Sequence, residues 1–67
     1  MEFRIQYFGE YDTLLYAEEL DADSLDVALE RARAIVNEAD PSFADPAIVG
    51  YVIVDQRGRL VARGYKR

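Results

Sequence analysis

The chain has 67 residues, 51% of them hydrophobic and including five Tyr and three Phe, which argues against disorder and leaves room for one domain around one small core. With no Cys, neither a disulfide framework nor a thiolate metal site can supplement that core, and no run approaches the roughly 20 apolar residues needed to span a bilayer. A net charge of -5 and a pI near 4.5 disfavour binding of the whole surface to nucleic acid or anionic lipid.

Phe3, Ile5 and Tyr7 alternate with Arg4, Gln6 and Phe8, the period of two expected of a strand with one buried face, so residues 2 to 8 read as strand 1. Gly9-Glu10-Tyr11-Asp12 is rich in turn formers, and Thr13 to Leu20 returns as an antiparallel strand, although Ala17-Glu18-Glu19 has low strand propensity. Asp23 and Ser24 are candidate N-caps whose side-chain oxygens can accept orphan N–H groups of a first helical turn. From there Leu25, Ala28, Leu29, Ala32, Ile35 and Val36 follow helical spacing, which predicts a helix over about residues 24 to 38. Pro41 and Pro46 bracket a loop in which Phe43 is expected to fold back on the core. Ile48 to Val54 is apolar on both faces, as a central strand would be, and Asp55-Gln56-Arg57-Gly58 suits a type I turn with Gly58 left-handed before a strand over Leu60 to Tyr65.

The order is β-β-α-β-β, a single α+β domain over residues 1 to 67 with a four-stranded antiparallel or mixed sheet and one helix on one face. A strand order of 2-1-3-4 puts the apolar third strand inside the sheet, and 1-2-3-4 with a right-handed crossover is the alternative. Because one helix covers one face, Arg4, Gln6 and Phe8 should share the other with either Val49, Tyr51 and Ile53 or Ile48, Val52 and Val54. An apolar patch there points to a homodimer or a protein partner.

Charge is segregated along the chain. Residues 1 to 45 hold twelve of the thirteen acids against Arg4, Arg31 and Arg33, whereas residues 46 to 67 hold Asp55 against Arg57, Arg59, Arg63, Lys66 and Arg67. Glu18, Glu19, Asp21, Asp23 and Asp26 fall within nine positions and form a candidate partner-binding patch for a basic surface. The helix macrodipole accounts for Asp23 and Asp26 and touches Asp21, but leaves Glu18 and Glu19 unexplained. Arg57, Arg59, Arg63, Lys66 and Arg67, with Tyr51 and Tyr65 nearby, form an alternative nucleic-acid-binding set of cations and stacking rings, against the plainer reading of a charged edge hairpin that resists aggregation.

Site chemistry is sparse. Asp21-Ala22-Asp23-Ser24-Leu25-Asp26 begins like a calcium loop, but Leu25 stands at the fifth position, Asp26 replaces the glycine at the sixth and Ala32 occupies the twelfth. Without His or Cys no transition-metal site is expected. Ser24 and Ser42 have no histidine to activate them, and Gly9, Gly50, Gly58 and Gly64 show neither dinucleotide nor P-loop spacing, so neither an enzyme nor a cofactor is expected. The start, Met1-Glu2-Phe3-Arg4, lacks a basic n-region followed by an apolar stretch, which makes a cytoplasmic protein the expectation.

The stretch from Glu18 to Val36, EELDADSLDVALERARAIV, resembles the strand-to-helix passage of many small bacterial and phage proteins. HicB-type antitoxins show a similar helix after a hairpin, and small anti-CRISPR proteins of phages show a similar β-β-α-β-β layout with an open sheet. The second resemblance implies an acidic phage-type inhibitor that occupies a nucleic-acid-binding surface of a CRISPR effector. The expectation is therefore a non-catalytic protein-binding module, with a nucleic-acid-binding module or a homodimeric structural domain as alternatives.

Overall fold

Alternation along the first strand sets the two faces of the sheet. In the computed structural model, which describes residues 1–37 and 48–66, β1 (Glu2–Phe8) buries Phe3, Ile5 and Tyr7 and turns Arg4, Gln6 and Phe8 the other way. β2 (Leu14–Asp21) pairs antiparallel with one side of β1 and β3 (Gly50–Asp55) with the other, while β4 (Leu60–Tyr65) pairs antiparallel with β3. The order is β2-β1-β3-β4, so the apolar third strand is interior and the sheet is wholly antiparallel. Ala17-Glu18-Glu19 holds strand geometry despite its low propensity because Gln6, Ile5 and Arg4 pair with it. Pro41, Phe43, Pro46 and Arg67 lie outside the described residues.

α1 (Leu25–Val36) crosses one face of the sheet, over β1 and β3. Ala28 and Ala32, four residues apart on its inner side, are fully buried, and such small side chains let the helix approach the sheet closely. Ile35 and Val36 complete the contact with Phe3, Ile5, Tyr7, Tyr51 and Ile53, and Leu25 and Leu29 pack at its margin. The expected side-chain cap is not made: Ser24 occupies the N-cap with extended backbone but its hydroxyl forms no capping hydrogen bond. The first intrahelical bond runs from the Ala28 N–H to the Ser24 carbonyl at 3.5 Å. Asp26 in the first turn and Arg33 in the last are both favourably placed for the macrodipole.

Two connections explain the hairpins. At the β3–β4 turn the Gly58 N–H donates to the Asp55 carbonyl at 3.0 Å with Gly58 at φ +80°, and the Asp55 carboxylate accepts the Arg57 and Arg59 N–H groups. Between β1 and β2 the single 3-10 turn Glu10–Asp12 places Tyr11 at φ 61° and Asp12 at φ 58°, a left-handed pair that matches the twist of a hairpin. Tyrosine and glycine also interlock across β3 and β4. Tyr51 pairs with Gly64 and Tyr65 with Gly50, and a Cβ on Gly64 would lie 2.5–2.6 Å from the Tyr51 ring. Each glycine thus makes room for a ring, on opposite faces of the sheet. Among the described residues no helix is long and apolar enough to cross a membrane.

Candidate functional site

The face opposite α1 is an ordered array. Strand pairing sets Glu19, Arg4, Val54 and Leu60 in one row, Ala17, Gln6, Val52 and Arg63 in the next, and Leu14, Phe8, Gly50 and Tyr65 in a third. Register therefore selects Val52 and Val54 for the open face and sends Tyr51 and Ile53 to the core. Bulges fall in both edge strands, where Leu15 and Val61 are the extra residues beside Leu14 and Leu60. Apolar residues thereby gather at two diagonally opposite corners, where Leu14 is 53% and Leu60 56% exposed. Between them Phe8, Val52 and Val54 are half-buried.

The five acids singled out in the sequence do not form one patch. Glu18 and Glu19 are successive in β2 and point to opposite faces. Glu18 lies on the helix side, its side chain only 12% exposed, where its carboxylate accepts the Tyr7 hydroxyl at 2.6 Å and Arg31 Nη2 and Nε at 3.2 and 3.4 Å. Burial first, and the Glu18 carboxylate second, hold the Tyr7 hydroxyl protonated well above the ordinary tyrosine range. Tyr16 stacks on Tyr7 with ring centroids 5.8 Å apart, closing the cluster. Glu18 thus forms an internal link between α1, β1 and β2. Glu19 is paired with Arg4 at 3.1 Å and Asp21 with the Met1 amino group at 3.2 Å, both exposed. Asp23 and Asp26 are exposed near the helix start.

The cationic set is also divided. Arg63 lies on the open face, its guanidinium 5.7 Å from the Tyr65 ring centroid and donating to the Tyr65 hydroxyl at 2.7 Å. Arg57 lies in the β3–β4 turn and Arg59 just after it, with their backbone N–H groups on Asp55, and Lys66 follows β4. These two amides are the main reason that the Asp55 carboxyl titrates below the usual carboxylate range. Tyr51 is buried and cannot stack a base, which leaves Tyr65 of the two tyrosines. Arg67 lies outside the described residues.

No family model, curated protein or solved structure matches the chain. The surface itself therefore carries the functional reading. Among the described residues no three or more Asp or Glu side chains converge to hold a metal ion. Leu14, Leu15, Leu60 and Val61 escaped sequence reasoning, because a bulge has no periodic signature. Tyr7 and Arg31 were legible only in part: Tyr16, Glu18 and Leu20 alternate as one face, which assigns Glu18 to the same side as two apolar residues.

Proposed function

We propose that this chain is a non-catalytic protein-binding domain whose contact surface is the face of the sheet opposite α1. The observation that supports it is the apolar band of Phe8, Val52 and Val54 running between two exposed apolar corners, on the side opposite α1. A binding surface needs an apolar centre with a polar rim, and here Glu19, Asp21, Arg4 and Arg63 form the rim. Mimicry of nucleic acid by converging carboxylates has weaker support, since Glu18 is engaged internally and Glu19 and Asp21 already have cationic neighbours. Contact through the sheet face is accordingly the primary mode, with the acids modulating it and conferring salt dependence on association.

The test is a set of 1H–15N spectra of the full chain, recorded over a concentration series and in nuclease-treated bacterial extract. Shifts and broadening should centre on the amides of Arg4, Gln6, Phe8, Val52 and Val54. Changes confined to α1 or to the Asp55 to Arg59 turn overturn the proposal.

A further inference from the structure

We infer that the outer edge of β2 is a strand-addition site for a cationic, extended peptide, a contact separate from the sheet face. Strand pairing fixes which backbone groups are free. The Ala22 N–H donates to the Met1 carbonyl at 2.8 Å, continuing the register in which Glu2 opposes Asp21. Hydrogen-bonded pairs alternate in an antiparallel ladder, so Phe3 with Leu20, Ile5 with Glu18 and Tyr7 with Tyr16 are the pairs that exchange bonds. Ala17, Glu19 and Asp21 therefore turn their N–H and C=O groups away from β1. All three residues are exposed, and among the described residues no strand pairs with that side of β2.

An extended backbone is the complement of such a row of donors and acceptors. The edge is also weakly guarded. With eight residues β2 is the longest strand, it holds no Pro, Lys or Arg, and its bulge lies near Leu14 and Leu15, ahead of residues 17–21. Because α1 packs over β1 and β3, a shelf remains on the helix side of β2. Tyr16 and Leu20 line it from the strand, and Val27 lines it from α1, one turn before Arg31 on the same stripe. That shelf accepts the apolar side chains of an added strand.

Charge selects the occupant. On the other side of the added strand stand Glu19 and Asp21, each with one exposed cationic neighbour. An antiparallel peptide places two residues of its own, two positions apart, directly opposite these acids, and Lys or Arg there is favoured. A second copy's β2 centred on Glu18 or Glu19 would instead set like charges directly opposite. The other edge of a second copy is no better matched. By the same alternation the Lys66 N–H on the Val49 carbonyl leaves Val61, Arg63 and Tyr65 facing out of β4, one cation beside a bulge at Val61.

The probe is a seven-residue peptide alternating valine with lysine, capped at both ends and added to the 15N-labelled full chain up to about 1 mM. Amide shifts should centre on Ala17, Glu19, Asp21 and Val27, and exchange of the Ala17 and Glu19 amides should slow at least about tenfold. The lysine N–H groups then face β2 and the valine N–H groups face outward. N-methylation of the lysines should abolish binding, whereas N-methylation of the valines should leave it within about threefold. Ala17→Pro removes one outward donor without touching the bonds to β1 and should weaken binding at least about tenfold; the two N-methylated peptides decide the matter where that variant does not fold. Equal affinity of the two peptides overturns the proposal. So do shifts confined to Phe8, Val52 and Val54, which assign the peptide to the sheet face, and the absence of any shift at the highest concentration. Slowing of the Ala17 and Glu19 amides with protein concentration alone overturns it as well, and assigns the edge to a second copy.

Discussion

Removing the Tyr7 hydroxyl should cost this protein about 2 kcal/mol. Hydrogen bonds to a charged group contribute about 1.5–3 kcal/mol, and the Tyr7 O–H meets Glu18 at 2.6 Å. Glu18 keeps its two Arg31 contacts in Tyr7→Phe, and its slight exposure admits some water, which places the loss near the middle of that range. For a domain of this size a change of about 2 kcal/mol lowers Tm by about 8–16 °C. Thermal and urea unfolding followed by circular dichroism measure it. The decisive comparison is the same substitution in a Glu18→Gln background, where it should cost at least about 1 kcal/mol less, since the charged acceptor has gone. A cost below about 0.5 kcal/mol, or an equal cost in both backgrounds, refutes the account of Glu18 as an internal link. The hydroxyl also sets an alkaline limit. Its folded-state pKa lies above the ordinary value near 10, so the unfolded chain loses this proton first and stability falls as pH rises above about 10, by about 1.4 kcal/mol per pH unit. Tyr7→Phe should lack that component of the slope.

Gly64→Ala should destabilise by about 1–3 kcal/mol, because its Cβ meets the buried Tyr51 ring. Tyr51→Phe should not rescue it, since ring carbons as well as the hydroxyl lie within 2.6 Å; unchanged urea midpoints would count against the interlock. Gly58→Ala meets no atom within 4 Å and should cost only about 1 kcal/mol, from its φ of +80° alone. Tyr11→Asn should stabilise by up to about 1 kcal/mol, because Asn tolerates the left-handed backbone that Tyr11 adopts while 96% exposed; a loss of stability would refute the turn geometry. The Asp55 carboxyl titrates below its usual range, so its support of the turn is present above the ordinary carboxylate pKa and is lost as pH falls through the folded value. Hydrogen exchange at the Arg57 and Arg59 amides should accelerate there and be pH-independent, after correction for intrinsic rates, in Asp55→Asn.

Sequence reasoning recovered those elements whose periodicity is strong. Alternation in β1, the 3.6-residue spacing of α1 and the turn chemistry around Gly58 all have direct physical signatures, and they located each element to within about two residues. The open face was legible through Arg4, Gln6 and Phe8, but β3 is apolar on both faces, so only pairing with β1 could decide between Tyr51 and Val52. The internal bonding of Glu18 was not legible, because a carboxylate beside Glu19 reads as solvated surface while its partners lie eleven and thirteen positions away. Asp12 tolerates the left-handed region, but Tyr11 gave no hint of it, since a bulky aromatic residue seldom adopts that backbone.

The strand order carries a consequence for how the molecule assembles in time. β1 with β2 and β3 with β4 are local hairpins that close on the scale of microseconds, but the seam between β1 and β3 joins Phe3 to Asp55 and Phe8 to Gly50. Closing so long a loop is entropically expensive and is repaid only when both hairpins and the helix are in place. Docking of the two halves along this seam is therefore the slow step. Until it completes, Ile5 and Ile53 remain in water, and this midline, rather than either outer strand, is where a folding chain is open to misassociation.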